Sequence, residues 1–96
     1  MTEKNIEQYL VRKVREMGGK AYKFVSPGNA GVPDRLVIFP SGRIIFIELK
    51  APGKVPTNLQ RAKHRELEKL KQRVFVIDSK EKVDAVLQQE REGDAQ

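Results

Sequence analysis

Apolar residues recur at Ile6, Tyr9, Leu10, Val14 and Met17, the three-and-four spacing of an amphipathic helix that starts near Glu3 and stops at Gly18-Gly19. The period then drops to two. Lys20 to Val25 is short and aromatic and reads as a strand, broken by the turn-forming run Ser26-Pro27-Gly28-Asn29-Ala30-Gly31. Asp34 to Phe39 and Arg43 to Lys50 are rich in β-branched and aromatic residues with only Pro40-Ser41-Gly42 between them, which predicts a hairpin. Thr57 with Gln60 three residues later forms a capping box, and Leu59, Ala62, Leu67 and Leu70 supply the apolar face expected for a second helix. Arg73 to Ile77 predicts a last strand. Ser79 can cap a final helix carrying Val83, Val86 and Leu87, and the polar end around residues 92–96 is expected to fray. The order is α-β-β-β-α-β-α. A strand-helix-strand crossover favours parallel pairing, so the expectation is one α/β domain over residues 1–96, a mixed sheet flanked by helices.

Alternation along Arg43 to Lys50 puts Ile44, Phe46, Glu48 and Lys50 on one face and Ile45, Ile47 and Leu49 on the other. A charged pair ending so apolar a strand costs desolvation unless it is paired, ligated or at the rim. If Phe39 pairs with Arg43 across the three-residue loop, Asp34 falls directly opposite Glu48. Two carboxylates about 4.5 to 5.5 Å apart at Cβ repel unless a cation lies between them. Hard oxygen ligands suit Mg²⁺ or Mn²⁺, and Lys50 one pleat along can hold a water or offset charge on a phosphate. Phosphodiester hydrolysis fits that set. Glu48 and Lys50 as a rim salt bridge is the plain alternative.

Composition excludes other chemistries. The chain has 96 residues, no Cys and one His, which removes disulfides, thiolate zinc sites and multi-histidine metal clusters. No apolar run approaches the roughly 20 residues of a membrane-spanning helix, and MTEKNIEQ has no apolar segment of a secretion signal, so the reducing cytoplasm of a bacterial or phage-infected cell is expected.

GVPDR, then ELK ending a strand thirteen positions beyond Arg35, then Gln60 in the next helix resemble the PD-(D/E)xK nucleases, with their restriction-endonuclease-like core. Within that superfamily the chain is most similar to the virus-type replication-repair nuclease domain, VRR-NUC, in the stand-alone form carried by phages. The resemblance spans Glu3 to Ile77, with Glu7, Pro33-Asp34, Glu48-Leu49-Lys50 and Gln60 matching motif positions. It implies that Asp34, Glu48 and the Leu49 backbone carbonyl bind the metal, that Lys50 serves the attacking water, and that Glu7 and Gln60 support the site. Read from the residues alone, Glu7 is equally an ordinary glutamate bordering an apolar stripe. Gln60 is fully accounted for by the capping box, although both roles can coexist. His64, one turn after Gln60 on the same side, is placed to touch DNA or titrate near the site, but a lone surface histidine without a partner is the stronger reading, and it stays outside the catalytic set. The loop around Asn29 brings backbone N–H groups to a phosphate or is only a turn.

Positive charge is uneven. Lys54 to Arg73 carries seven Lys and Arg against two Glu, net +5, and Arg12 to Lys23 carries five against one, net +4, whereas Val74 to Gln96 is net −3. That distribution predicts contact with a phosphate backbone, through Arg61, Lys63, Arg65 and Lys69 in the second helix together with Asn29. Few aromatics and no base-reading motif favour recognition of backbone and shape, as in branched or junction DNA. Paired cuts in a symmetric junction need two sites about a two-fold axis, so the expectation is a homodimer acting as a Holliday-junction resolvase. Flap, nick or single-strand cleavage by the same chemistry, and a basic module that binds without cutting, are the alternatives.

Overall fold

The computed structural model describes residues 1–94. α1 spans Glu3–Glu16, opened by a reciprocal box in which Thr2 Oγ1 accepts from the Asn5 N–H and Asn5 Oδ1 accepts from the Thr2 N–H. It ends where Gly18, at φ 84°, takes the left-handed conformation that an L side chain rarely adopts. β1 (Lys20–Lys23), β2 (Arg35–Ile38), β3 (Ile44–Leu49), α2 (Asn58–Lys69), β4 (Val74–Ile77) and α3 (Lys80–Asp94) follow in the expected order. α3 is helical to Asp94; of the tail expected to fray, Ala95 and Gln96 lie outside the described residues. Among the described residues no helix is long and apolar enough to cross a membrane.

The four strands lie in the order β1-β2-β3-β4, antiparallel for the first two pairs and parallel for β3 with β4. The α2 crossover therefore joins the parallel pair, as the connection length requires. At the hairpin turn the Phe39 N–H donates to Arg43 O at 2.9 Å and the Gly42 N–H to Phe39 O at 2.8 Å, with Gly42 at φ 91°. This three-residue loop with a left-handed glycine fixes the register, and Arg35 pairs with Ile47, Leu36 with Phe46, Val37 with Ile45 and Ile38 with Ile44.

One face of the sheet carries the core. Val37, Phe39, Ile45, Ile47, Leu49 and Ile77 are buried against Ile6, Leu10 and Val14 of α1 and Val83, Val86 and Leu87 of α3. Within α3 the buried stripe continues to Glu90, wholly enclosed and held by two arginines. Arg43 Nη2 lies 2.6 Å from its Oε2, and Arg73 Nη1 lies 2.9 Å from Oε2 and 2.8 Å from Oε1, of which only the Oε2 contact has hydrogen-bond geometry.

The opposite face belongs to α2, and here the expectation fails. Leu59 is 52% exposed and Leu70 67%, Ala62 is exposed, and Leu67 is only half-buried. The side turned inward carries Gln60, Lys63, His64 and Leu67, and His64 is its buried member. Burying each exposed leucine would gain about 1.5 to 3 kcal/mol, so hydrophobic burial alone does not set this helix's rotation.

Candidate active site

Asp34 immediately precedes β2. Because Phe39 and Arg43 form a hydrogen-bonded pair, the alternation of the antiparallel ladder makes Asp34 and Glu48 a non-hydrogen-bonded pair, the kind whose side chains lie closer together. Pro33 precedes Asp34 and the ladder ends there; Asp34 Oδ2 takes the Leu49 N–H, at 2.7 Å. That bond fixes the carboxylate at the end of β3. The register of β2 on β3 puts the two carboxyl groups on one side of the sheet, and Asp34 acts on the Glu48 carboxyl.

Glu48 is only 1% exposed. Burial first, then the hydrogen bond to Asp34 and the Asp34 charge, push its carboxyl from 4.5 up to about 8, with Lys50 pulling the other way. Lys50 Nζ stands 4.0 Å from Glu48 Oε2 and is itself largely shielded from solvent. Glu3, at the start of α1, adds to the upward push through its charge, an influence with no counterpart in the motif reading.

α2 delivers two further groups. Gln60 serves both purposes considered from sequence: its Oε1 accepts from the Thr57 N–H at 2.9 Å while its Nε2 donates to Glu48 Oε2 at 3.3 Å. One amide thus caps the helix and grips the carboxylate. His64, expected on the surface without a partner, is 7% exposed with Nε2 3.3 Å from Glu48 Oε1. Burial lowers its affinity for a proton. The available signal was the spacing, since a residue four positions after Gln60 shares its helix face.

Other candidates sit apart. Glu7 is joined to Arg35 at 3.0 Å, and Arg35 neighbours Asp34 in sequence, so alternation sends it to the α1 face, away from Glu48. Asn29 spends its amide inside its own loop, donating to Ser26 Oγ at 2.9 Å. Arg61 donates to Pro56 O at 2.7 Å and Asn58 Oδ1 at 2.6 Å, and Lys63 meets Glu66 at 3.3 Å, whereas Arg65 and Lys69 are exposed.

The donor set fits a hard divalent cation. Two carboxylates, forced together, are reconciled here by a proton that Glu48 holds far above its ordinary range, and a cation would relieve the same repulsion. Among the described residues no three His, Asp or Glu side chains form a metal cluster, so further ligands would be backbone oxygen or water. A paired carboxylate edge with a lysine one pleat along, at the end of a mixed sheet between helices, defines a small nuclease of the PD-(D/E)xK class.

The comparisons with known proteins agree. No family model matches the chain. It is 56% identical over 79 residues to "Putative nuclease p44" of Acyrthosiphon pisum secondary endosymbiont phage 1, covering 82% of this chain and 85% of that protein. A solved structure described as "VRR_NUC domain" superposes with a TM-score of 0.85 at 31% identity, covering 92% of this chain and 97% of the other. The chain belongs to the VRR-NUC nuclease family.

Proposed function

We propose that this nuclease is a metal-dependent endonuclease that hydrolyses phosphodiester bonds in branched DNA, acting as a homodimer on four-way junctions. The observation that carries the reading is the Asp34–Glu48 pair, two carboxyls that the hairpin register sets opposite each other, with Asp34 held on the Leu49 N–H and Lys50 alongside. Asp34, Glu48 and the Leu49 carbonyl would hold Mg²⁺ or Mn²⁺, which when bound would polarise the scissile phosphate and acidify a water. The chain's own groups supply the rest. The Leu49 N–H fixes Asp34, Gln60 fixes Glu48, and the Lys50 ammonium places a positive charge where a pentacoordinate phosphate builds negative charge. Exposed Arg65 and Lys69, with Arg61 and Lys63, give α2 the charge to track a phosphate backbone, with Asn29 in the neighbouring loop as a further contact. Symmetric paired incisions require two such sites, and therefore two chains.

The test is cleavage of a panel containing duplex, nicked, flap, single-stranded and four-way-junction DNA, with EDTA, Mg²⁺ or Mn²⁺. Symmetric paired cuts at the junction that need metal support the reading. Preference for flaps, nicks or single strands moves the substrate without moving the chemistry. Binding that survives EDTA with no product in either metal overturns it in favour of a module that binds without cutting.

A further inference from the structure

α2 turns away from solvent a histidine that hydrophobic burial does not explain. Two leucines of the same helix, Leu59 and Leu70, stay exposed while His64 is 7% exposed, and its ring meets the one carboxylate on that face which is itself 1% exposed. Gln60 and His64 are one turn apart and divide the carboxylate between them. The Gln60 amide meets Oε2 and the His64 ring meets Oε1, each at 3.3 Å. Glu48 is thereby gripped from the α2 side at both oxygens, while Lys50 at 4.0 Å approaches only Oε2.

We propose that His64 is a positioning residue for Glu48, its Nε2–H fixing the rotation of the carboxylate so that the remaining lone pairs face the cation and the scissile phosphate. The inference rests on the metal-dependent reading above. With Glu48 ionised, as cation binding requires, the carboxylate has only acceptor capacity, so Nε2 must carry the hydrogen and Nδ1 is the bare nitrogen. A rigid ring with one donor at fixed reach limits the carboxylate to one rotation, whereas a flexible cation would allow several. Partners behind a metal ligand characteristically change metal affinity or activity by about 10- to 100-fold when removed.

The test uses the full chain and three substitutions. His64→Leu fills the volume without a donor; His64→Gln places an amide donor at about the reach of Nε2; His64→Asn carries the same donor one bond short. Mn²⁺ affinity is measured without DNA from the metal-induced thermal shift, DNA affinity in EDTA by anisotropy, and single-turnover cleavage across Mn²⁺ concentrations. His64→Leu and His64→Asn should bind Mn²⁺ about 10-fold or more weakly, with the cleavage midpoint shifted in parallel, while DNA affinity in EDTA changes less than about twofold. His64→Gln should recover to within about threefold of wild type. Should His64→Leu not fold, the Gln and Asn pair carries the comparison. Mn²⁺ affinity of His64→Asn within about twofold of wild type, or His64→Gln as impaired as His64→Asn, overturns the positioning role. Wild-type protein with no metal-dependent cleavage overturns the metal-dependent reading and this inference with it; active wild type with unaffected variants overturns the inference alone.

Discussion

Glu48 should make the metal-free protein less stable as pH rises, and Glu48→Gln should abolish that dependence. In the folded chain the carboxyl is held up to about 8, against 4.5 when unfolded. Between those values the folded state keeps a proton that the unfolded state has lost, so the stability this group contributes is complete below 4.5 and drains away as pH climbs toward 8. At about 1.4 kcal/mol per unit, the gap sets a ceiling of about 5 kcal/mol for the whole range and about 3 kcal/mol at pH 7. Water entry and side-chain relaxation around an ionised Glu48 lower it, and about 1 to 3 kcal/mol is expected at pH 7.

The Gln variant keeps the shape and can donate to Asp34 where the carboxyl proton does, but cannot ionise. In EDTA at pH 7 it should melt about 5 to 20 °C above wild type, given about 4 to 8 °C per kcal/mol for a domain of this size. Every other titrating group is common to both proteins, so the difference in unfolding free energy reports Glu48 together with the groups it touches, Asp34 first. That difference should be near zero at pH 4.5 and widen up to pH 8, followed by urea denaturation at half-unit intervals. Mn²⁺ should reverse the order by stabilising wild type, increasingly toward pH 8, while leaving Glu48→Gln almost unmoved. A gap in EDTA that is constant from pH 5 to 8, or wild type the more stable protein at pH 8, would refute the argument that Glu48 is held protonated by burial and by Asp34.

Three further outcomes follow from the same geometry. Asp34→Asn and Lys50→Ala should each lower single-turnover cleavage by about 100-fold or more, with junction binding in EDTA changed little, since each removes stabilisation of developing charge and not a contact to the DNA track. Arg65→Glu with Lys69→Glu should weaken DNA binding equally across sequences and flatten its salt dependence, because each lost phosphate contact removes about 0.9 from the log-log slope on duplex DNA; an unchanged slope would move the track to Arg12–Lys23. Glu90→Leu should cost about 2 to 4 kcal/mol in urea denaturation, at the lower end of the range for breaking a buried ion pair because Arg43 and Arg73 both reach solvent.

The hairpin register was legible because two independent constraints coincide. Pro40-Ser41-Gly42 selects a three-residue turn, and the period-two pattern on either side allows only a register that keeps Ile45 and Ile47 on the same face as Val37. The Asp34–Glu48 pair follows from that register, before any comparison. The rotation of α2 was not legible, since Leu59, Ala62, Leu67 and Leu70 form the stronger apolar stripe by count and the competing demand comes from one carboxylate on another strand. His64 was lost for the same reason. Without a placed Glu48 it has no partner in the sequence, but once Gln60 is on Glu48 the helix repeat brings His64 there too. Glu90 was readable and was missed: Val83, Val86, Leu87 and Glu90 share one stripe, and a glutamate on an apolar stripe must find a cation.

The two faces of the sheet divide stability from chemistry. On the α1 and α3 side, Ile45, Ile47 and Leu49 are locked into the apolar core, and that packing fixes the depth and direction of the residue between the last two, Glu48. The other face can then carry a carboxylate whose ionised form is unfavourable in the metal-free protein, because the penalty falls on a strand already anchored from behind. Relieving the penalty by Glu48→Gln should give a protein that is more stable and unable to cleave. The two effects meet in one carboxyl group: burial and then Asp34 raise it, and the same Asp34–Glu48 pair is the field that attracts a divalent cation, so a substitution that removes the ionisable group removes both.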